Sequence, residues 1–372
     1  MEIKEYRKHA ADMIALTVCA LNGTTPDAAL TAQLDLPVLF EICQQHLLTA
    51  CVAYALESAG IRDAAFAEAK EKSVCKNILM DADRKKVLER LEAAGIWYMP
   101  LKGAVMKDWY PKLGMRQMSD NDILCDDTAG PRIREIMEEL GFTCVHYGVG
   151  HDDIYHKEPV SNFEMHRELF DIVLAEKLHH YYADVRERLI RDSDSAYGYH
   201  FRDEDFYIYV LAHEYEHYAL GGTGVRSLID IEIMRRRFGD SLDQDYVARE
   251  IEKLGITAFV QQSCTLSDKL FSGEPLTADE EQALDYFITS GVYGTQEHQV
   301  KNQLQKKDGS KLRYLFRRVF PSMNQIRTFD PFFYRHKWLI PVLWIWRPIR
   351  GLLHSREKLT KELKLLLRSG KQ

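Results

Sequence analysis

The chain has 372 residues, 46% of them hydrophobic, 11% aromatic and 28% charged, with a formal net charge of −7. That length and apolar content suffice for a sizeable core in two or three domains, which excludes a wholly disordered chain. The seven cysteines include no Cys-x-x-Cys pair, the opening Met1–Arg7 lacks a secretory apolar core, and no run of about 18 apolar residues occurs, so a reducing cytoplasm and no membrane span are expected.

Residues 1–92 read as helices, with Val38, Leu39 and Ile42 and then Leu47 to Leu56 keeping a spacing of three and four, and with a charged amphipathic helix from Asp81 to Ala94 stopped by Gly95. The apolar run Ile96–Leu101 predicts a strand, followed by Lys102-Gly103 and a helix-like segment from Ala104 to Tyr110. A second strand carries Asp120-Asn121-Asp122-Ile123-Leu124, a helix is expected over Thr128–Leu140 with Gly141 as its stop, and alternation marks strands at Phe142–His146, Asp153–Lys157 and Ser161–His166. In the last of these, Phe163 and Met165 share one face and Glu164 and His166 the other. From 173 to 297 helical periodicity returns, as in Phe206–Leu220, Ser227–Phe238 and Asp245–Lys253, and His298–Ser310 is the best linker. Residues 311–372 hold 15 Lys+Arg against 3 Asp+Glu, a balance of +12, so the first 310 residues carry about −19.

Asp120 and Asp122 are the most informative pair. Two apart on a strand, their carboxylates project from one face roughly 7 Å apart, a spacing that suits divalent cations bridging a triphosphate and an acceptor. Gly103 permits close approach of the backbone to a phosphate, the helix behind it turns free N–H groups and its positive end that way, and Lys102 and Arg116 are placed to clamp phosphate oxygens.

With Leu101-Lys102-Gly103, Arg116, Asp120, Asp122 and the following Ile123-Leu124, the sequence resembles the nucleotidyltransferase superfamily typified by DNA polymerase β, and within it a bacterial group of uncharacterised nucleotidyltransferase-like proteins. The resemblance implies an α+β fold: a small mixed sheet (93–172) between an N-terminal helical region (1–92) and a helical bundle (173–297) that walls the cleft, followed by a basic, aromatic C-terminal region (298–372). It implies transfer of a nucleoside monophosphate, AMP from ATP as the leading case, to an unknown hydroxyl or phosphate acceptor. Asp120, Asp122 and Glu164 would hold Mg²⁺ or Mn²⁺, Lys102, Gly103 and Arg116 the nucleotide phosphates, and His166 is a weaker candidate beside the acceptor. The superfamily commonly has Gly-Gly or Gly-Ser at the turn. Here Gly103-Ala104 moves phosphate contact to Lys102 and the backbone. The superfamily also has binding-only members, so a catalytically silent nucleotide-binding or scaffold protein is the first alternative.

His213-Glu214-Tyr215-Glu216-His217 also satisfies the H-E-x-x-H pattern of zinc peptidases, with a third ligand to be drawn from Asp230 or Glu232. The longer metzincin pattern fails because Leu220 stands where glycine belongs. In the resembling group, two histidines, a glycine and an Arg-x-x-x-Asp run mark the helical part, which here are His213, His217, Gly222, Arg226 and Asp230. Near the C-terminus, the apolar run from Trp338 to Trp346 is too short to span a bilayer. Its three tryptophans flanked by Arg and Lys fit packing on the helical domain, peripheral membrane contact or single-stranded nucleic acid.

Overall fold

The computed structural model describes residues 3–292, 294, 295, 298, 302, 316 and 319–354. Five helices open the chain: α1 (Ile3–Asn22), α2 (Ala28–Ala32), α3 (Leu36–His46), α4 (Thr49–Ser58) and α5 (Ala64–Ala93). Aspartates cap the starts of α2, α3 and α5. Asp35 accepts a hydrogen bond from the Val38 amide ahead of Pro37, and Asp63 accepts from the amides of Ala65 and Phe66. The helix expected over Asp81–Ala94 is the second half of α5, because no glycine or proline interrupts the 30 residues from Ala64.

A five-stranded sheet follows, built from β1 (Tyr98–Pro100), β2 (Asn121–Cys125), β3 (Thr143–His146), β4 (Asp152–Lys157) and β5 (Ser161–His166) in the order β1-β2-β5-β4-β3. Only β2 and β5 pair in parallel, so the sheet is mixed, and these two strands lie at its centre flanked by antiparallel neighbours. Between β1 and β2 runs α6 (Gly103–Met106), a single turn, and between β2 and β3 runs α7 (Gly130–Glu139). One face of the sheet is apolar: Tyr98, Ile123, Cys125, Tyr155, Phe163 and Met165 pack with Val87 and Leu91 of α5 and Ile133, Ile136 and Met137 of α7. Burial of these side chains fixes the register, since a slip of one residue would send the apolar set to the other side.

That other face meets helices. After α8 (Glu176–Tyr181) come α9 (Asp203–Leu220), α10 (Val225–Phe238), α11 (Gln244–Leu254), α12 (Thr257–Ser272) and α13 (Ala278–Ser290). Met99, Leu101 and Leu124 from the sheet, Leu16, Leu39 and Leu56 from the first helices, and Tyr209, Leu228, Leu266 and Phe287 from the later ones belong to one continuous core. The N-terminal helices thus share their interior with the later bundle. All seven cysteines are free thiols. Further helices span Met323–Phe329, Pro331–Arg335 and Ile340–His354. Among the described residues no helix is long and apolar enough to cross a membrane. The linker expected over His298–Ser310 lies, apart from His298 and Asn302, outside the described residues, as do most of 311–318 and all of 355–372.

Candidate active site

The parallel pairing of β2 with β5 sets Asp122 opposite Glu164, so both carboxylates leave the face that turns away from the apolar core. His166, two residues along β5, joins them from the same face. One ligand atom each from Asp122, Glu164 and His166 lies within 4.8 Å of the others. His166 donates from Nε2 to Asp122 Oδ1 at 2.9 Å and stands 3.8 Å from Glu164 Oε2. While that bond lasts Nε2 is a donor and closed to a cation, so in this arrangement His166 orients the Asp122 carboxylate through it. Two carboxylates supported by imidazole suit a hard divalent ion such as Mg²⁺ or Mn²⁺.

Asp120 takes a different place from the one expected. It sits half-buried just ahead of β2 and outside the tight cluster, so the close acidic pair is Asp122 with Glu164 across two strands. Asp120 still feels the others: burial and then the Asp122 charge raise its pKa. Glu164 is pushed up to about 8 by burial, then by Asp122 and Asp120. Burial also opposes the Asp122 charge, but the Lys102 ammonium and the His166 hydrogen bond outweigh it and hold that carboxyl far below the usual range. The cluster therefore favours a proton or a cation at neutral pH.

Lys102 supplies the positive charge already present. Its Nζ lies 3.4 Å from Asp122 Oδ2 and donates to His213 Nε2 at 2.8 Å. Burial works against its charge, yet Asp122 leads several negative groups that raise its pKa well above normal. The backbone at Lys102 is strained, with φ 39° and ψ −109°, in a turn where glycine would sit without cost. Next to it, Gly103 leaves room for a neighbour: a Cβ there would collide with the Arg116 guanidinium, which would have to shift.

Arg116 itself faces the interior. Its Nε and Nη2 bond Asp230 Oδ1 and Oδ2 at 3.0 and 2.9 Å, and the Tyr110 hydroxyl donates to the same carboxylate at 2.6 Å. The clamp expected of Arg116 on phosphate is thus a bidentate grip on α10, which holds the Gly103 turn from beneath. The helix behind the turn has four residues, too few to aim a substantial dipole at an anion. Two other cations approach Asp120: Arg226, which donates to the Gln117 carbonyl at 3.3 Å, and Lys76, which donates to the Ser119 carbonyl at 3.2 Å.

The H-E-x-x-H helix forms the opposite wall. Because Lys102 can only donate, His213 Nε2 is an acceptor, and His217 Nε2 lies 3.1 Å from it. Burial and then the Lys102 charge push His213 down to about 3. The carboxylates that would complete a zinc site are engaged elsewhere, Asp230 with Arg116 and Tyr110, and Glu232 with Arg235 and Arg236. Sequence reading overlooked Lys76, Tyr209 and Glu216. The Tyr209 hydroxyl is buried near Lys102 without a hydrogen-bond partner among the described residues, and burial pushes Glu216 up to about 7. The signal was present, since Tyr209, His213, Glu216 and His217 recur at i, i+4, i+7 and i+8 on one face of α9.

A family model described as an uncharacterised nucleotidyltransferase matches residues 32–272, from the end of α2 through α12, and the chain belongs to that family. No curated protein and no solved structure matches it.

Proposed function

We propose that this nucleotidyltransferase family member moves a nucleoside monophosphate, AMP from ATP, to an acceptor hydroxyl or phosphate and releases pyrophosphate. The observation that carries the reading is the in-register Asp122–Glu164 pair on adjacent parallel strands, oriented by His166 and set beside the Lys102-Gly103 turn. The segment 93–172 is the catalytic unit in this reading, with the helices before and after it as walls.

Asp122 and Glu164, with Asp120 at the strand entrance, would hold Mg²⁺ or Mn²⁺, which when bound neutralises the triphosphate and lowers the pKa of the acceptor oxygen. The residues of the chain do the rest. Lys102, at the mouth of the site, turns from Asp122 toward a phosphate oxygen, and Arg226 and Lys76 lie on the Asp120 side to receive the remaining negative charge. With a hydroxyl acceptor, Glu164 in its carboxylate form takes the proton as the acceptor oxygen bonds to the α-phosphorus. The bond from that phosphorus to the bridging oxygen breaks, and its electron pair leaves with pyrophosphate. Arg116 acts at one remove, keeping the Gly103 turn open, and His213 fixes the Lys102 ammonium on the cleft wall. A cytoplasmic location supplies the nucleotide.

A binding-only protein is the second reading, favoured by one observation: Lys102 already places a cation against Asp122. Incubation of purified protein with each labelled nucleotide and Mg²⁺ or Mn²⁺, scoring labelled small molecules and macromolecules separately, tests both. Product that disappears in Asp122→Asn supports transfer. A nucleotide- and metal-dependent rise in melting temperature without product supports binding alone, and a rise that survives Asp122→Asn places the metal site elsewhere. Contact with a membrane surface through the C-terminal region is a separate reading, carried by other residues.

A further inference from the structure

The helix Ile340–His354 has two apolar faces, and only one is covered. Leu343 is fully buried, Trp344 packs edge-on against Phe320 with ring centroids 5.0 Å apart, and Arg347 turns inward to Asp330 at 3.6 Å. Opposite them, Val342, Ile345, Trp346 and Ile349 are exposed at i, i+3, i+4 and i+7, which places all four within about a third of the helix circumference. Just before the helix, Trp338 is 79% exposed, while Ile345 in the middle of the stripe is 68% exposed. Arg335 and Lys337 stand at its margin, exposed, and Arg350, also exposed, pairs with Asp330 at 3.5 Å.

A row of large apolar side chains open to water is costly unless something covers it. We propose that this stripe lies in the interfacial layer of an anionic lipid bilayer, with the helix parallel to the surface, its apolar residues among the acyl chains and the basic residues at headgroup level. Charge selects this occupant. Residues 311–372 carry +12, so a second copy of the same face would bring like charges together. Three of the four stripe residues, Val342, Ile345 and Ile349, are aliphatic and offer neither a stacking plane nor a phosphate contact, which disfavours nucleic acid over a lipid surface. Trp338 ahead of the row and Trp346 within it, with cations beside them, match the chemistry of the headgroup boundary. The helix rests on the surface, since no described helix is long and apolar enough to cross.

The inference does not depend on nucleotide transfer, and its test avoids that readout. The full chain is floated with phosphatidylcholine vesicles and with vesicles that also contain phosphatidylglycerol, alongside the double variant Ile345→Asp/Ile349→Asp. Both positions are exposed, so the variant should keep the parent's melting temperature. The parent should float with the anionic vesicles, less so as salt rises, and its tryptophan emission should shift to the blue. The variant should bind roughly tenfold or more weakly, because each position moves from burying an aliphatic side chain to burying a charge. Failure of the parent to float with anionic vesicles overturns the proposal, as does equal flotation of the variant. A parent that sediments as a dimer without lipid, and a variant that sediments as a monomer, would assign the stripe to a second copy instead.

Discussion

Two basic residues on the chain that leads from β1 to β2 each meet an aspartate in a buried setting, and the two pairs have opposite character. Below the Gly103 turn, Arg116 grips Asp230 with two hydrogen bonds, and Tyr110 supplies a third. Above the turn, Lys102 reaches Asp122 at 3.4 Å, shares its ammonium with His213, and stands on a backbone with positive φ. Asp122 in turn is shared with His166. A pair whose donors and acceptors are matched has little to gain from a ligand. A pair that is long, shared and strained can exchange partners when phosphate or a cation arrives, so incomplete satisfaction separates the reacting region from the supporting one.

Arg116→Met strands the buried Asp230 carboxylate and should cost roughly 3–5 kcal/mol, read as a fall in urea midpoint, while Arg116→Met/Asp230→Leu should recover much of that loss. A single variant as stable as the parent would show that the Arg116–Asp230 pair does not support the fold.

The next effect belongs to the acidic cluster. Folded Glu164 keeps its proton up to about pH 8, whereas the unfolded chain releases it near the ordinary 4.5. The folded state then binds more protons between those values, so this stabilisation is complete below about pH 4.5 and is lost as pH rises through about 8. We expect the parent to lose roughly 1–3 kcal/mol of stability from this group between mildly acidic and mildly alkaline pH in metal-free buffer. Glu164→Gln should flatten that slope, and a slope unchanged in the variant would assign the titration to another group.

Lys102→Gly should change stability by only about 1 kcal/mol, because relief of the positive φ offsets the lost ion pair. Turnover should nonetheless fall by roughly a hundredfold, as for removal of a group that stabilises developing charge. Full turnover in this variant would show that the strained lysine is dispensable. The smallest effect is expected from His213→Gln, within about 0.5 kcal/mol of the parent, since a glutamine oxygen can still accept from Lys102. Its zinc content should match the parent's, and a stoichiometric zinc that vanishes on substitution would revive the peptidase reading.

Much of the site was legible in the chain because backbone periodicity is local. Alternation in Ser161–His166 sorts Phe163 and Met165 from Glu164 and His166, and the same two-residue period sends Asp122 away from Ile123. Leu101-Lys102-Gly103 and Asp122 marked the turn and the strand from their residue types, and the lack of a breaker after Ala64 explains why α5 runs longer than its amphipathic half suggested. The α9 wall was only half read: its two histidines stood out as a motif, while Tyr209 and Glu216 on the same face did not.

By itself, then, the sequence determined the family, the mixed α+β order of elements, and the face of each strand that carries chemistry, since these follow from residue type and a period of 2 or 3.6. Tertiary structure alone decided the partners. Asp120 precedes β2 and stands outside the tight cluster, and Glu164 comes opposite Asp122 because β5 pairs beside β2 in that register. Arg116 turns inward because Asp230, 114 positions further along, arrives beneath Gly103 on α10. No local pattern encodes such encounters: they are set by how apolar faces pack, and packing brings together side chains whose separation along the chain carries no signal.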